Sequence, residues 1–179
     1  MRIDAQGLLA GGEYIPSPNC DDRPAVAIEL LVIHNISLPP GEFGGDGVQR
    51  LFTNRLDVDA HPYYRAIAGL RVSAHFFVRR DGRVIQFVSW LKRAWHAGES
   101  CWQGKSRCND FSLGIELEGS DTVPFADAQY TALEYLTMVL RETYPIRGIA
   151  GHSDIAPQRK TDPGACFDWT RYLTGLCRA

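Results

Sequence analysis

The stretch SAHFFVRRDGRVIQFVS (73–89) sets two β-rich segments on either side of Asp81-Gly82, a dipeptide suited to a tight hairpin turn. It demands at least one antiparallel strand pair. Upstream, AIELLVIH (27–34) is a continuous apolar run, the pattern of a strand buried in the middle of a sheet. Downstream, SLGIELEG (112–119) alternates, with Leu113, Ile115 and Leu117 on one face and Gly114, Glu116 and Glu118 on the other. Tyr130, Leu133, Leu136 and Leu140 recur at helical spacing, which predicts a helix over 127–143 with Asp127 as its N-cap and Pro145 enforcing its end. RGIAGH (147–152) predicts a short strand, and DWTRYLTGL a last helix beginning near Asp168. Strands and helices alternate, so the expected fold is a single α/β domain with a central mixed β-sheet flanked by helices.

A chain of 179 residues is long enough to bury one substantial core, and no repeat, low-complexity tract or composition break divides it. One domain over 1–179, acting as a monomer, is expected. A net charge of -2 gives no support for a nucleic-acid or anionic-membrane partner. The N-terminus has no basic start followed by an apolar core, and no run approaches the ~20 apolar residues of a membrane span, so a cytoplasmic location is expected. The five cysteines are odd in number and irregularly spaced, which fits free thiols better than a disulfide framework. Cys101 and Cys108 flank a short loop and could pair or bind metal, although free thiols are the simpler expectation. Residues 39–69 mix Gly, Pro and Asp with aromatics. One short helix is expected near Val48–Leu56, within a long irregular loop of the kind that often serves as a lid.

The chemistry is concentrated in GHSDIAPQRKTDPG (151–164), where one Pro/Gly-rich loop carries His152, Lys160 and Asp162. His34 ends the apolar strand far upstream. Two imidazoles and one carboxylate are the ligand set of a catalytic zinc, with a fourth position left for water. Each residue also has an ordinary role open to it: His34 as a satisfied strand-end polar group, Asp162 as a turn starter before Pro-Gly, Lys160 as a solvated charge. Alternation along 112–119 turns both Glu116 and Glu118 away from the apolar face, leaving two candidates for an acid–base carboxylate.

The motifs LLVIHN, SAHFFVRRDG, RAWHAGES, NDFSLGIELEG and GHSDIAPQRKTDPG occur in this order. In them the chain resembles the zinc-dependent N-acetylmuramoyl-L-alanine amidases of the AmpD type, cytosolic 1,6-anhydro-muropeptide amidases of cell-wall recycling, over about residues 27–169. Phage lysozyme-type amidases and animal peptidoglycan recognition proteins typically have Cys-Pro-Gly where this chain has Asp162-Pro163-Gly164. The resemblance implies zinc held by His34, His152 and Asp162, with Glu116 and Lys160 as the polar catalytic groups, and so selects Glu116 over Glu118. It also implies hydrolysis of the bond between (1,6-anhydro-)N-acetylmuramic acid and L-alanine, and a family role in limiting β-lactamase induction. A lytic amidase acting on polymeric peptidoglycan and a non-catalytic muropeptide-binding module are the alternatives.

A muropeptide carries a sugar and several free carboxylates, so its site needs cations and apolar walls. Arg71 and Arg107 are candidate carboxylate ligands. Asn35, beside His34, is a candidate partner for the substrate amide, and Trp95 and His96 are candidate cleft residues. Phe52 and Tyr63 are candidate lid residues. His75 is expected to be structural, and no metal is expected at His61.

Overall fold

The computed structural model describes residues 3–178. Along the chain run β1 (Glu13–Tyr14), β2 (Cys20–Asp22), β3 (Leu30–Ile36), α1 (Gly47–Phe52), α2 (Pro62–Ala66), β4 (Phe76–Val78), β5 (Val84–Gln86), β6 (Lys92–Ala94), β7 (Cys101–Trp102) and β8 (Lys105–Ser106). A 3-10 turn at Cys108–Asp110 leads into β9 (Ser112–Glu118), followed by α3 (Asp127–Thr143), β10 (Gly148–Gly151), α4 (His152–Ile155) and α5 (Trp169–Arg178). The main sheet has six strands in the order β1-β5-β4-β9-β3-β10. Strands β4, β9, β3 and β10 are mutually parallel, whereas β5 pairs antiparallel with β4. The sheet is mixed, and the hairpin at Asp81-Gly82 supplies the antiparallel pair.

Gly82 takes φ +84° at the tip of that hairpin, a conformation that favours glycine, and a Cβ there would meet the Ala128 carbonyl at 2.8 Å. On one face of the sheet, Leu31, Ile33, Leu113, Ile115 and Leu117 pack with Tyr130, Leu133, Leu136 and Leu140 of α3 and Tyr172 of α5. Leu133, Leu136 and Leu140 are fully buried, which stabilises the fold by roughly 1.5–3 kcal/mol each. The opposite face carries two smaller clusters: Phe77, Ile85 and Phe87 against α1, and Leu30 and Val32 against Ile155. These two clusters flank the polar residues that form the site.

Several expectations are corrected in detail. Asp127 is the first residue of α3 and Ala126 occupies the cap position. The capping contact comes from Gln129, whose Oε1 accepts from the Ala126 amide at 3.0 Å while its Nε2 donates to the Val78 and Glu118 carbonyls. Asp127 instead pairs with Arg171 at 2.6 Å. The 39–69 segment contains two short helices, and α2 begins at Pro62 under a cap from His61 Nδ1, which accepts from the Tyr63 amide at 3.1 Å. Phe52 is 1% exposed and stacks edge-on with Phe87, so it anchors this segment in the core and cannot be the moving tip of a lid. Tyr63 remains exposed. Among the described residues all five cysteines are free thiols, and no helix is long and apolar enough to cross a membrane.

Candidate active site

Register decides which side chains meet. In the parallel pair β3–β9, His34 stands opposite Glu116, and in β10–β3 Gly151 stands opposite Ile33. His34 and Glu116 therefore project side by side from the two central strands, and His152 enters one residue past the end of β10. All three lie near the carboxyl ends of parallel strands, where α/β sheets commonly bind their ligands. The 156–164 loop returns Asp162 to the same point: the Ser153 amide donates to the Asp162 carbonyl at 2.9 Å. Gly151 permits this return, since a Cβ there would meet Pro163 Cδ at 2.8 Å.

His34 Nδ1, His152 Nδ1 and Asp162 Oδ2 form a triangle with sides of 3.0, 2.9 and 3.1 Å. Among the described residues this is the one cluster of three or more His, Cys, Asp or Glu groups placed to hold a metal. The surrounding hydrogen bonds determine where the protons are. His152 Nε2 faces the Ala97 carbonyl at 3.1 Å, so it carries a hydrogen, and in the neutral ring Nδ1 is the bare nitrogen. Ser112 donates its hydroxyl to the Cys108 carbonyl at 2.6 Å, so its oxygen accepts from His96 Nε2 at 3.3 Å. His96 Nδ1 is then an acceptor for His34 Nε2–H at 3.0 Å, which leaves His34 Nδ1 bare.

Burial lowers His34 to about 4 and holds His96 well below the ordinary histidine range, so both are neutral near pH 7. Three lone pairs, one of them on a carboxylate, thus converge with no proton among them. That arrangement calls for a cation. Donor atoms around a tetrahedral zinc at ~2.0–2.1 Å stand roughly 3.3 Å apart, close to the observed spacing, and the two-nitrogen, one-oxygen set suits zinc.

The triangle lies in a cavity of about 530 Å³. Its polar wall includes Asn35, Glu116, Ser120, Asp121, Thr122 and Lys160, and its apolar wall Leu38, Leu51, Phe52, Tyr63, Ile67, Leu70 and Val72. Glu116 is buried, and its Oε2 has no hydrogen-bond partner. Burial, aided by the nearby Asp162 carboxylate and opposed by Lys160, raises its carboxyl well above the ordinary glutamate value. Glu118 accepts from the Gly44 and Arg80 amides at 2.6 and 3.0 Å and lines no part of this cavity. Lys160 reaches the cavity with no ion-pair partner among the described residues.

The remaining candidates are dispersed. Asn35 lines the cavity, but its amide NH₂ is committed to Asp121 at 2.7 Å and the Pro163 carbonyl at 3.0 Å; only its oxygen is left to accept. Arg71 is exposed in an adjoining groove that shares Leu51, Ile67 and Leu70 with the cavity. Trp95 lies outside the cavity wall and is half-buried. Arg107 is exposed, outside the cavity wall, and paired with Asp110. His75 is buried, accepting from the Gly114 amide at 3.0 Å. Asp121, whose hydrogen bond from Asn35 emerges only from the folded chain, carries no motif that marks it in the sequence.

The family profile of N-acetylmuramoyl-L-alanine amidases matches residues 24–165. The chain belongs to this family. It is an N-acetylmuramoyl-L-alanine amidase. It is 56% identical over 170 residues to the 1,6-anhydro-N-acetylmuramyl-L-alanine amidase AmpD of Escherichia coli K12, an alignment covering 93% of each chain. A crystal structure of an AmpD selenomethionine derivative superposes with a TM-score of 0.95 at 54% identity, covering 98% of this amidase and 99% of that chain. The amidase AmiD of E. coli, solved in complex with its substrate anhydro-N-acetylmuramic acid-L-Ala-D-γ-Glu-L-Lys, matches at 32% identity and a TM-score of 0.61. That match covers 86% of this amidase and 60% of the AmiD chain.

Proposed function

We propose that this amidase is a zinc enzyme that cleaves the bond between 1,6-anhydro-N-acetylmuramic acid and L-alanine in muropeptides, acting as a monomer in cytoplasmic peptidoglycan recycling. The observation that carries the zinc assignment is the triangle of His34 Nδ1, His152 Nδ1 and Asp162 Oδ2, all within 3.1 Å of one another. The substrate assignment is supported by the extensive likeness to AmpD.

When bound, zinc supplies Lewis acidity that activates water and polarises the scissile carbonyl. Glu116, with an unpaired oxygen in the cavity and a raised carboxyl pKa, accepts the proton of the attacking water and delivers one to the leaving L-alanine amine. Lys160 places its ammonium near the carbonyl oxygen and stabilises the charge that develops there. Asn35 accepts from a substrate N–H, because its donors are already committed to Asp121 and to the Pro163 carbonyl beside Asp162. Arg71 takes a stem-peptide carboxylate in the adjoining groove. Loss of the activity would let muropeptides accumulate, which connects this role to β-lactamase induction in a host that has the inducible enzyme.

The test is to incubate the zinc-loaded protein with an anhydro-muramyl tripeptide and, separately, with intact sacculi, and to identify products by mass spectrometry. Release of tripeptide from the first substrate only is expected. Cleavage of sacculi only would replace this assignment with a lytic one, and binding without cleavage would replace it with a recognition module. Metal analysis of His34→Ala checks the ligand set: full zinc content would refute it.

A further inference from the structure

We propose that the dipeptide His96–Ala97 is a positioning device that fixes the tautomer of both zinc-ligand histidines, one through a side chain and the other through a backbone carbonyl. This rests on the zinc assignment above. A neutral imidazole carries one hydrogen, and the nitrogen that carries it cannot be a ligand. His34 and His152 sit on different elements and approach the triangle from different sides, yet their outer nitrogens are received by consecutive residues. His96 Nδ1 accepts from His34 Nε2–H at 3.0 Å, and the Ala97 carbonyl accepts from His152 Nε2–H at 3.1 Å. With its hydrogen on Nδ1 instead, His34 would set a bare Nε2 against the bare Nδ1 of His96, two buried acceptors facing each other with no proton between them.

The direction of the His96 contact is set from behind. The Cys108 carbonyl can only accept, so Ser112 donates to it and must receive His96 Nε2–H. The dipeptide is itself held at three points. The side-chain carbonyl of Asn109 accepts from the amides of His96 and Ala97, at 3.2 and 2.8 Å. Arg159 Nη2 donates to the Ala97 carbonyl at 2.8 Å, using the lone pair that His152 leaves. The His96 ring lies over Gly114, where a Cβ would fall 2.4 Å from His96 Cγ, so β9 has no side chain there to displace it. These contacts give His96, which lines the cavity as expected, a structural purpose beyond that of a cleft wall.

Two variants of nearly equal shape separate this role from simple packing. In His96→Asn the side-chain oxygen stands where Nδ1 was and still accepts, whereas His96→Leu removes the acceptor and keeps the bulk. By chelator competition, His96→Leu is expected to bind zinc ~10–100-fold more weakly, the usual cost of losing a group that orients a metal-binding histidine, and His96→Asn to recover most of the affinity. In the unmutated zinc-loaded chain, ¹⁵N NMR of the histidines is expected to show His96 protonated on Nε2 and bare on Nδ1, and this measurement decides the matter if His96→Leu does not fold. A hydrogen on His96 Nδ1, or unchanged zinc affinity in His96→Leu, would overturn the proposal. Failure of the unmutated chain to bind zinc would refute the zinc assignment instead, and the His96 tautomer in the metal-free chain would still judge this one.

Discussion

Replacing Lys160 with Met keeps the aliphatic stem and removes only the ammonium, which makes it a direct measure of what one cation contributes. Lys160 is half-buried at the cavity wall and has no ion-pair partner among the described residues, so its charge is not neutralised by the protein. A unit charge about 4 Å from a developing oxyanion, at an effective dielectric constant of about 20, is worth about 4 kcal/mol. At about 1.36 kcal/mol per factor of ten, this is roughly a thousandfold in rate, near the top of the ~10²–10³ lost when one oxyanion donor is removed. The assay is kcat/KM on an anhydro-muramyl tripeptide, with zinc content and thermal midpoint measured alongside; both should match the unmutated enzyme. A second signature follows from Glu116. Burial and Asp162 raise its carboxyl while Lys160 lowers it, so loss of the ammonium raises it further. The carboxylate is the form that accepts a proton, so the acidic limb of the pH–rate profile should move to higher pH. Turnover within tenfold of the unmutated enzyme, with that limb unmoved, would refute the assignment.

Glu116→Gln should keep fold and zinc and lose turnover by at least ~100-fold, whereas Glu118→Gln should leave the chemistry nearly intact; the reverse pattern in steady-state assays would exchange their roles. Because the folded pKa of Glu116 is raised, the stability it contributes is present below the unfolded value of ~4.3 and lost as pH rises through the folded pKa. Urea melts of the metal-free proteins should therefore show Glu116→Gln gaining on the unmutated chain as pH increases over that window. Gly114→Ala should weaken zinc binding, since its methyl group would fall 2.4 Å from His96 Cγ; chelator competition checks this. Removing zinc should lower the thermal midpoint, because three lone pairs are left facing one another and the free energy of binding is lost from the folded state, and a scan with and without chelator reads it directly.

The parts of the fold carried by local pattern were legible in the sequence. Alternation over 112–119 placed Leu113, Ile115 and Leu117 in the core, and the apolar run 27–34 marked a central strand. What local pattern does not encode is register between distant strands, and register is what sets His34 beside Glu116. The same limit applies to Phe52. It ends a short helix expected inside a long irregular segment, and Phe87, 35 positions away, receives its ring. Glu116 and Glu118 share a parity, so residue pattern could not separate them. The separation comes from the Gly44 and Arg80 amides, which engage Glu118 after the chain has folded around it. Asn109 and Ser112 act through hydrogen bonds to His96 and Ala97, more than ten residues away, and no spacing advertises that. Trp95 and Arg107 illustrate the converse: both lie beside a motif yet neither lines the cavity, and Arg107 is paired with Asp110 outside it.

All seven residues of β9 are buried, yet they serve two masters in strict alternation. Leu113, Ile115 and Leu117 support the layer of α3 and α5, while Gly114 and Glu116 face the chemistry. Genetic lesions only one codon apart in this strand should therefore produce different kinds of defective cell. Changes at the first set would deplete the protein, and a chaperone, lower temperature or a second-site stabilising change could restore it. Changes at Glu116 would leave a full complement of inert enzyme that no such treatment revives. Measured as abundance and as activity per molecule, variation along 112–117 would trace the pleat of the strand itself.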